Sequence, residues 1–419
     1  MAQDRWYRMD NVAKVFMASA NDRDTRTFRI SCTLKEEIEK DMLQKAVLSA
    51  LKERPQYHVT ILRGLFWHYM EPTDDLPVVE EEDGRICPML VGPENFGKLH
   101  LRVTYFHNRI NLEFSHAIAD GNGALDFLNL IVEHYLKQKD PEKYGKLSMT
   151  SGASEAGLSE DSFRKFYAKE KKKIPNMKRP PKAYHIRGIK YPYNQTQYIE
   201  VHMPVREVLA RAKALNVTMT SYVGTLFMLA VYNDMPTLMR NKPVTVSMPV
   251  NLRNYYPSMT SRNFFNSVLV SHVFKGGETV ESLAEEYQVK LKAELTPEAV
   301  EKRMLNYEKM ESLFFIRLVP LFIKNPVINM VNKRAGKEVT LVLSNLGKLS
   351  VPPEVQDEIE SYSAYCSTEK LFIVMDTCKD DLIFGISNAY RNTQVIRDFL
   401  KNFTDEGIPV TVYSTEISD

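Results

Sequence analysis

Hydrophobic and polar residues alternate strictly over residues 109–114, where Ile110, Leu112 and Phe114 share one face. A period of two is typical of a half-buried strand, and a similar run at 101–106 predicts its hairpin partner. Beyond this strand, hydrophobic residues recur at helical spacing from 122 to 137. Residues 115–121 are therefore predicted to form a loop that joins a strand to a helix.

The same criteria predict strands and helices mixed along the whole chain. Such a mixture is typical of an α/β protein built from layers of sheet and helix. The predicted strands cover 27–34, 57–62, 65–70, 101–106, 109–114, 196–203, 244–248, 265–274, 340–344, 370–377 and 382–388. The predicted helices cover 38–53, 122–137, 205–215, 221–233, 280–309 and 394–406, while 139–161 is polar and predicted to be a surface loop.

Residues 313–331 are strongly hydrophobic and aromatic, but Arg317, Pro320, Lys324 and Pro326 interrupt the run. A pair of buried core helices is the simpler interpretation of this composition. The alternative is a lid over a substrate tunnel or a segment that faces lipid.

The chain has 419 residues, which is enough for two domains of about 200 residues each. Residues 164–190 contain a dense run of lysine and arginine, and prolines interrupt helix formation there. We therefore predict a domain boundary at this point, with domains 1–180 and 181–419. The positive run is expected to be a solvated linker, and the alternative is a site for phosphates or an acidic protein.

The composition is that of an ordinary packed protein, with 44% hydrophobic residues and a formal net charge of +2. This near-neutral charge gives no argument for nucleic-acid binding. The N-terminus lacks the hydrophobic run of a signal peptide and no stretch approaches the length of a membrane span, so we expect a cytoplasmic protein. The four cysteines form no Cys-x-x-Cys pair and predict neither a zinc site nor a disulfide framework.

The loop at 115–121 reads Ser-His-Ala-Ile-Ala-Asp-Gly and places His116 and Asp120 just after a strand. From composition alone, His-x-x-x-Asp-Gly should occur by chance about 0.02 times in a chain of this kind. The glycines that follow break the helix, so the two side chains cannot share a helical face as zincin ligands do, and no metal is predicted. The alternative is an ordinary loop in which Asp120 caps the helix and His116 is a hydrogen-bonded polar residue.

Three further segments accompany this motif. Residues 43–51 precede Arg54-Pro55, residues 248–253 read Met-Pro-Val-Asn-Leu-Arg, and residues 343–347 read Leu-Ser-Asn-Leu-Gly. In this order and spacing they resemble the superfamily of chloramphenicol acetyltransferase, non-ribosomal peptide condensation domains and alcohol acyltransferases. The chain looks most similar to the bacterial alcohol acetyltransferases, since the Asp-Phe-Gly-Trp-Gly motif of the plant branch is absent.

The resemblance implies two chloramphenicol acetyltransferase-like subdomains, each a mixed sheet flanked by helices, with the active site at their interface. It also implies that His116 is the catalytic base, because Ser115 replaces only the first histidine that many members carry. A histidine is mostly neutral at pH 7 and can take a proton from an attacking hydroxyl. Since a thioester is already activated, no serine or cysteine nucleophile is needed.

The resemblance assigns roles to four other positions besides the turn at Gly121. Asp120 is implied to pair with Arg253 of the second domain rather than to orient the histidine. Ser344 and Asn345 are the candidates for stabilising an oxyanion. Turn chemistry would explain Ser-Asn-x-Gly at this place equally well.

The resemblance implies acyl-CoA as a co-substrate, no bound cofactor, and a small hydroxylated or amine acceptor. Tyr191, Tyr193 and Tyr198 are candidates for the acceptor pocket, although isolated tyrosines are more often core or interface residues. One alternative is a condensation-type enzyme that forms an amide or ester from an acyl group on a carrier protein. The other is a relative that only binds a ligand, and the complete motif argues against it.

Overall fold

The computed structural model describes residues 6–150, 154–167, 180–193, 195–312, 319–349 and 351–415. Its helices follow in chain order. They are α1 (Asn11–Ser19), α2 (Lys40–Glu53), α3 (Gly121–Lys139), α4 (Pro141–Tyr144), α5 (Glu155–Leu158), α6 (Ser162–Tyr167), α7 (Val205–Ala214), α8 (Met219–Asp234), α9 (Val280–Glu294), α10 (Pro297–Ser312), α11 (Leu321–Gly336) and α12 (Gln394–Asp405).

The described strands form three sheets, of which two are large and contain both parallel and antiparallel neighbours. The strands are β1 (Tyr7–Arg8), β2 (Thr27–Leu34), β3 (Val59–Arg63), β4 (His68–Pro72), β5 (Glu80–Glu81), β6 (Leu101–Phe106), β7 (Arg109–Ser115), β8 (Gln197–Pro204), β9 (Val244–Asn251), β10 (Phe265–His272), β11 (Leu341–Leu349), β12 (Ile359–Cys366), β13 (Leu371–Cys378), β14 (Asp381–Asn388) and β15 (Thr411–Ser414). The sheet orders are β1-β4-β3, then β12-β2-β7-β6-β5, then β10-β9-β11-β13-β14-β8-β15. The predicted mixed α/β fold is therefore confirmed.

The five-stranded sheet combines strands from both halves of the chain. Strand β12 pairs antiparallel with β2, and β7 pairs with the other edge of β2. All eight residues of β2 are buried, and helix α3 packs on this sheet with α2 beside it. The domain boundary predicted at residue 180 stays a prediction.

The seven-stranded sheet separates two hydrophobic cores. Because side chains alternate between the faces of a strand, Val374 and Cys378 of β13 join the core of the first half. Ile373 and Met375 of the same strand join a second core. Helices α7, α8, α9 and α12 pack together over that second core. The face of this sheet that carries Val374 and Cys378 is thus where the two halves of the chain meet.

Most predicted elements match the structure closely. The predicted strand at 27–34 coincides with β2, and the hairpin and helix around the histidine motif coincide with β6, β7 and α3 within two residues. The prediction of a surface loop over 139–161 is partly wrong, because α4 and α5 lie there and bury Tyr144 and Leu158. Helix α1 and strands β12 and β15 had no predicted counterpart.

The expectation of buried core helices over 313–331 is wrong for the part that the structure describes. Helix α11 begins at Leu321, and of its 16 residues Leu321 alone is buried. The helix packs against α1 on one side and leaves its hydrophobic side chains exposed on the other. The prediction was wrong because it relied on hydrophobic content, although the segment lacks the regular hydrophobic stripe of a core helix. Residues 313–318 of the predicted segment lie outside the described chain.

Helices α7 and α8 meet at a bend of 85° and together have the length and hydropathy of a membrane span. Helix α8 is the central helix of the second core, where Phe227 and Val231 are completely buried. Across the described residues, no single helix is both long enough and hydrophobic enough to cross a membrane.

Candidate active site

His116 directly follows β7, and two hydrogen bonds of its backbone hold its loop. Its N–H donates to the Arg26 carbonyl at 2.9 Å, which extends the pairing of β7 with β2 by one residue. Its own carbonyl accepts from the Asn263 side-chain amide at 2.8 Å. Because Arg26 and Asn263 come from opposite halves of the chain, both halves fix the position of the histidine.

One hydrogen bond determines which nitrogen of His116 carries the proton. Nδ1 lies 3.2 Å from the carbonyl oxygen of Ala119. A carbonyl only accepts hydrogen bonds, so Nδ1 is the protonated nitrogen of the neutral ring. Nε2 then carries the lone pair, and the Asn263 side chain lies close enough to the ring to raise its pKa. The imidazole is therefore prepared to accept a proton at Nε2.

Aromatic rings surround the imidazole of His116. Ring centroids of Phe16 and Phe28 lie 4.7 and 4.3 Å away, and Phe265 of β10 lies at 6.2 Å. Burial among these rings lowers the pKa of His116 to about 4, although the Asp120 carboxylate and the Ala119 carbonyl oppose the shift. Because of this low pKa, the ring is neutral across the physiological pH range. The side chain is only half-buried, so the ring is still accessible.

The Asp120 carboxylate is buried and bound on both oxygens. Arg253 Nη1 lies 2.8 Å from Oδ2 and Nη2 lies 3.2 Å from Oδ1. Oδ1 also accepts the Gly123 N–H at 3.0 Å, which caps α3, and Oδ2 accepts the Phe264 N–H at 3.0 Å. Helix capping and ion pairing, considered as alternatives from the sequence, occur together here. The carboxylate is thus engaged with these donors and not with the imidazole.

The Arg253 guanidinium also organises the loop that follows it. Nε and Nη2 donate to the Thr260 carbonyl at 2.9 and 2.7 Å, and Nη2 donates to the Arg262 carbonyl at 2.8 Å. Nη1 reaches the Asn251 side-chain oxygen at 3.2 Å. A planar group with five N–H donors suits such a task. Through Arg253, the second half of the chain is attached to the start of α3.

Gly123 is the glycine at which the two halves approach most closely in this region. A Cβ on Gly123 would lie 2.0 Å from the Ser261 carbonyl oxygen and 2.7 Å from the Tyr57 hydroxyl. That hydroxyl donates to the same carbonyl at 3.1 Å. A side chain at position 123 would therefore separate the loop from the helix, and only glycine fits.

Strand β11 carries the two oxyanion candidates. Ser344 is half-buried, and its hydroxyl has no hydrogen-bond partner within the described chain. The Asn345 side chain is exposed and already committed, since Nδ2 donates to Thr220 at 2.8 Å and Oδ1 accepts the Gly347 N–H at 2.7 Å. Gly347 has a φ of +79°, next to a bulge in the pairing of β11. Asn345 therefore shapes the bulge, while the Ser344 hydroxyl is free of hydrogen bonds to the residues that the structure describes.

The same strand passes next to the histidine motif. A Cβ on Gly121 would lie 3.4 Å from Leu346 Cδ2, which is ordinary contact with a flexible side chain. Leu346 packs against the core of the first half. The structure thus brings the turn of the motif and β11 together.

The predicted acceptor-pocket tyrosines lie in other surroundings. Tyr198 is buried and donates to the Ile86 carbonyl at 3.2 Å. Tyr193 is exposed, with the Arg23 guanidinium 4.4 Å above its ring, and Tyr191 lies near Arg391. These contacts do not involve His116, and their assignment to a pocket stays a prediction. Of the basic run, residues 168–179 fall outside the described chain.

The described residues contain no group of three or more His, Cys, Asp or Glu side chains arranged to hold a metal ion. Cys32, Cys87, Cys366 and Cys378 are buried, free thiols. Burial raises the pKa of Cys32 to about 12 and that of Cys378 to about 11. The thiols are therefore protonated and unsuited to nucleophilic attack.

Besides the rings of Phe28 and Phe265, three residues that sequence analysis did not single out contact the histidine. Phe16 belongs to the short helix α1, Arg26 has a left-handed φ of 55°, and Asn263 lies in a loop 147 residues away along the chain. The Arg26 guanidinium pairs with Asp24 at 3.3 Å and sits 5.5 Å from the Phe16 ring. A non-glycine residue with positive φ next to an active site is a common sign of function, but a sequence does not reveal φ.

Searches with the sequence give no family model and no curated protein that matches the chain. Solved structures do match. TRI3 trichothecene 15-O-acetyltransferase from Fusarium sporotrichioides is 12% identical with a TM-score of 0.60, and the alignment covers 95% of this chain and 93% of that one. The first condensation domain of the CDA synthetase is 12% identical with a TM-score of 0.60, covering 96% and 95%.

A third match is TRI101 from F. graminearum, whose structure holds coenzyme A and T-2 mycotoxin. It is 11% identical with a TM-score of 0.59, and the alignment covers 97% of this chain and 99% of that one. This chain shares the fold of these acetyltransferase and condensation-domain structures. The mixed α/β fold with two large sheets that the resemblance implied is thereby confirmed.

Proposed function

We propose that this chain transfers an acyl group, acetyl in the first instance, from coenzyme A to a hydroxyl acceptor by direct attack. His116 is the general base. The hydroxyl oxygen attacks the thioester carbonyl while Nε2 takes the hydroxyl proton. When the tetrahedral intermediate collapses, the carbon–sulfur bond breaks and the thiolate takes the proton back from Nε2. The products are an ester and free coenzyme A.

The geometry of the imidazole supports this proposal most strongly. The 3.2 Å contact between Nδ1 and the Ala119 carbonyl leaves the lone pair on Nε2. As the ring becomes positive, the same carbonyl and the Asp120 carboxylate both favour the charged form. Burial keeps the resting ring neutral, so the base is in its active form before the acceptor arrives.

Ser344 is the proposed donor to the oxyanion. Its hydroxyl lacks a partner among the described residues, and its strand lies beside the motif through Leu346. A hydroxyl held ready in this way stabilises the negative oxygen of the intermediate better than it stabilises the thioester carbonyl. Asp120 and Arg253 are proposed to position the loop without touching the reacting atoms.

A condensation-type reaction is the second candidate, because the same fold occurs in the first condensation domain of the CDA synthetase. In that case the thioester is carried by a protein and the acceptor is an amine or a hydroxyl. The base and oxyanion donor would be the same residues. The two candidates differ in the donor, and the third interpretation, ligand binding without catalysis, predicts no thiol release at all.

The decisive experiment compares acyl donors with the purified chain. Acetyl-CoA and longer acyl-CoA thioesters are offered with a panel of alcohols and amines, and free thiol is measured against time. The same acyl groups are then offered on a phosphopantetheinylated carrier protein. We expect thiol release from acyl-CoA with an alcohol and none with His116→Ala. Activity only with the carrier-bound donor would favour the condensation-type reaction.

Kinetic order tests direct attack separately. If the acceptor attacks the thioester directly, both substrates must be bound together and no acylated protein accumulates. Initial rates with both substrates varied should give intersecting double-reciprocal lines, and intact-mass spectrometry should find the protein unmodified. A stable acyl adduct together with parallel lines would overturn the direct mechanism.

A further inference from the structure

Helix α11 presents a hydrophobic face to solvent. Its side chains Phe322 and Met330 are 63% and 64% exposed, and Ile323, Val327 and Val331 are between 44% and 50% exposed. At 3.6 residues per turn these five positions occupy one half of the helix circumference. The opposite half packs against α1. A surface of this kind on a soluble monomer usually marks an interaction site.

The turn between β3 and β4 extends this hydrophobic face. The Leu321 N–H donates to the Leu65 carbonyl at 2.8 Å, and Lys324 Nζ donates to the Phe66 carbonyl at 2.9 Å. The side chains of Leu65 and Trp67 are 63% and 51% exposed at this turn. Helix and turn are thus joined by hydrogen bonds and expose hydrophobic side chains side by side.

Positive charge adjoins the hydrophobic face at the C-terminal end of α11. The helix contains no aspartate or glutamate, and its last turn carries Lys333 and Arg334. With Lys182, Lys337 and Met330 they line a surface recess of about 590 Å³, and the described residues of its walls include no carboxylate. All four cations are exposed. The recess therefore favours an anionic group held next to hydrophobic surface.

We propose that this surface, which we call the docking face, binds a membrane that contains anionic lipid. It comprises the exposed side chains of α11, the β3–β4 turn, and the cations around the recess. Interfacial helices combine a hydrophobic face with lysine and arginine in this way and lie in the plane of the lipid headgroups. The hydrophobic side chains enter the headgroup region, and the cations contact lipid phosphates. This binding is peripheral and independent of the acyl transfer proposed above.

The docking face is structurally connected to the candidate active site. Helix α1 connects them, because it packs against α11 and also carries Phe16, whose ring centroid lies 4.7 Å from that of His116. A membrane bound at α11 would therefore lie next to the helix that contacts the histidine.

Vesicle flotation with the purified chain tests the proposal. Vesicles of phosphatidylcholine mixed with phosphatidylglycerol are compared with vesicles of phosphatidylcholine alone, each at low and high sodium chloride. We expect binding to the anionic vesicles that weakens as salt screens the charges. His116→Ala should bind equally well, which separates this proposal from the catalytic one. Failure of the unaltered chain to float with anionic vesicles at low salt would overturn the proposal.

Paired substitutions locate the contact. Phe322→Ser with Met330→Ser should weaken partition by about tenfold or more, since two exposed side chains lose their burial in lipid. Lys333→Gln with Arg334→Gln should weaken it about thirtyfold, from the typical contribution of two cations at an anionic surface. The matched controls are exposed residues elsewhere, Leu238→Ser with Val289→Ser and Lys213→Gln with Lys292→Gln.

Equal losses in the control variants would show that the binding is nonspecific and would overturn the assignment to α11. Tryptophan fluorescence gives an independent measure, because the chain has two tryptophans and Trp6→Phe leaves Trp67 at the docking face. We expect its emission to shift to the blue on adding anionic vesicles. If the chain instead self-associates through Phe322 and Met330 and ignores vesicles, the face is a dimer interface and the proposal is wrong.

Discussion

The carbonyl oxygen of Ser261 lies where a side chain on Gly123 would begin, at 2.0 Å from an ideal Cβ. The carbonyl belongs to the backbone of the loop that Arg253 holds in place through Thr260 and Arg262. It cannot move aside as the end of a flexible side chain does. Contact between the two halves of the chain at the active site therefore depends on the absence of a side chain at position 123.

Gly123→Ala is expected to destabilise the fold by at least about 1 to 3 kcal/mol, the usual range for overpacking, and to reduce activity by separating the halves. Gly336→Ala is the matched control, because a Cβ there meets nothing within 4 Å and alanine favours helix. Thermal unfolding of the two variants checks the difference. Equal melting temperatures would contradict the close approach.

Gly121→Ala should be tolerated although Gly121 belongs to the histidine motif. Its Cβ would make ordinary contact with Leu346 at 3.4 Å, and no left-handed backbone requires glycine. We expect a stability change below about 1 kcal/mol, as for other residues that adopt the native backbone without strain. Unfolding in urea and the acyl-transfer rate measure both effects. A larger loss of stability in Gly121→Ala than in Gly123→Ala would contradict this prediction.

The pH dependence of catalysis should report the buried imidazole. Burial lowers the pKa of His116 to about 4, so kcat/KM at pH 5.5 should remain close to its value at pH 7.5. A histidine with the ordinary pKa of about 6.5 would lose about tenfold over the same interval. Initial rates at low substrate concentration, measured between pH 4.5 and about 8, distinguish the lowered pKa from the ordinary one. An acid limb centred near 6.5 would show that the ring titrates as if exposed.

The same pKa has a consequence for stability. Protonation of His116 favours the unfolded chain, because the folded pKa lies below the unfolded one. The stability that depends on the neutral ring is fully present above pH 6.5 and is lost as the pH falls towards 4. His116→Gln should reduce this dependence of the free energy of unfolding on pH. Urea unfolding at several pH values would detect the change.

Asp120→Ala should act on stability more than on chemistry. The change leaves the Arg253 guanidinium without its buried partner and removes the cap of α3, and losing one member of a buried pair costs about 3 to 5 kcal/mol. Asp120→Asn keeps a side-chain oxygen that can cap α3, so it should lose less stability than Asp120→Ala. If melting is unchanged in Asp120→Ala while the pH–rate profile moves, Asp120 acts on the imidazole instead.

Ser344→Ala and Asn345→Ala should separate the two oxyanion candidates. Deleting an oxyanion donor lowers kcat by about 10² to 10³ with little change in KM, and we expect this of Ser344→Ala. Asn345→Ala should instead lower the melting temperature, because its side chain bonds Thr220 and Gly347. Steady-state kinetics of both variants check this. An unaltered kcat in the Ser344→Ala, Asn345→Ala double variant would remove both residues from the site.

Prediction of the fold succeeded where hydrophobic and polar residues alternate along the sequence. This alternation located the hairpin of β6 and β7, although β7 is buried on both faces. Strand β12 was missed because serine and alanine interrupt its hydrophobic residues, although the strand is almost entirely buried. Its Ala364 carbonyl would lie 1.9 Å from a Cβ on Gly385, so the close approach of the two backbones requires glycine at position 385. Such a contact between distant strands leaves no periodic signal in the sequence.

The sequence reveals the motif of the candidate site but not the distant residues that contact it. His116 and Asp120 stand four residues apart at a strand end, which is visible in the sequence. Arg253 lies 133 residues from its partner Asp120, and Asn263 lies 147 residues from His116. No local period connects such positions. The resemblance supplied Arg253, but Asn263 and Phe16 required the three-dimensional structure.

The pairing of β12 with β2 also determines the order in which the protein can assemble on the ribosome. Strand β2 is translated early, whereas its neighbour at Ile359–Cys366 emerges more than 300 residues later. Until then β2, all of whose residues become buried, offers an open edge to other nascent chains. Translation pauses or premature stops between these two strands would therefore yield aggregating fragments, and neither half is suited to independent expression.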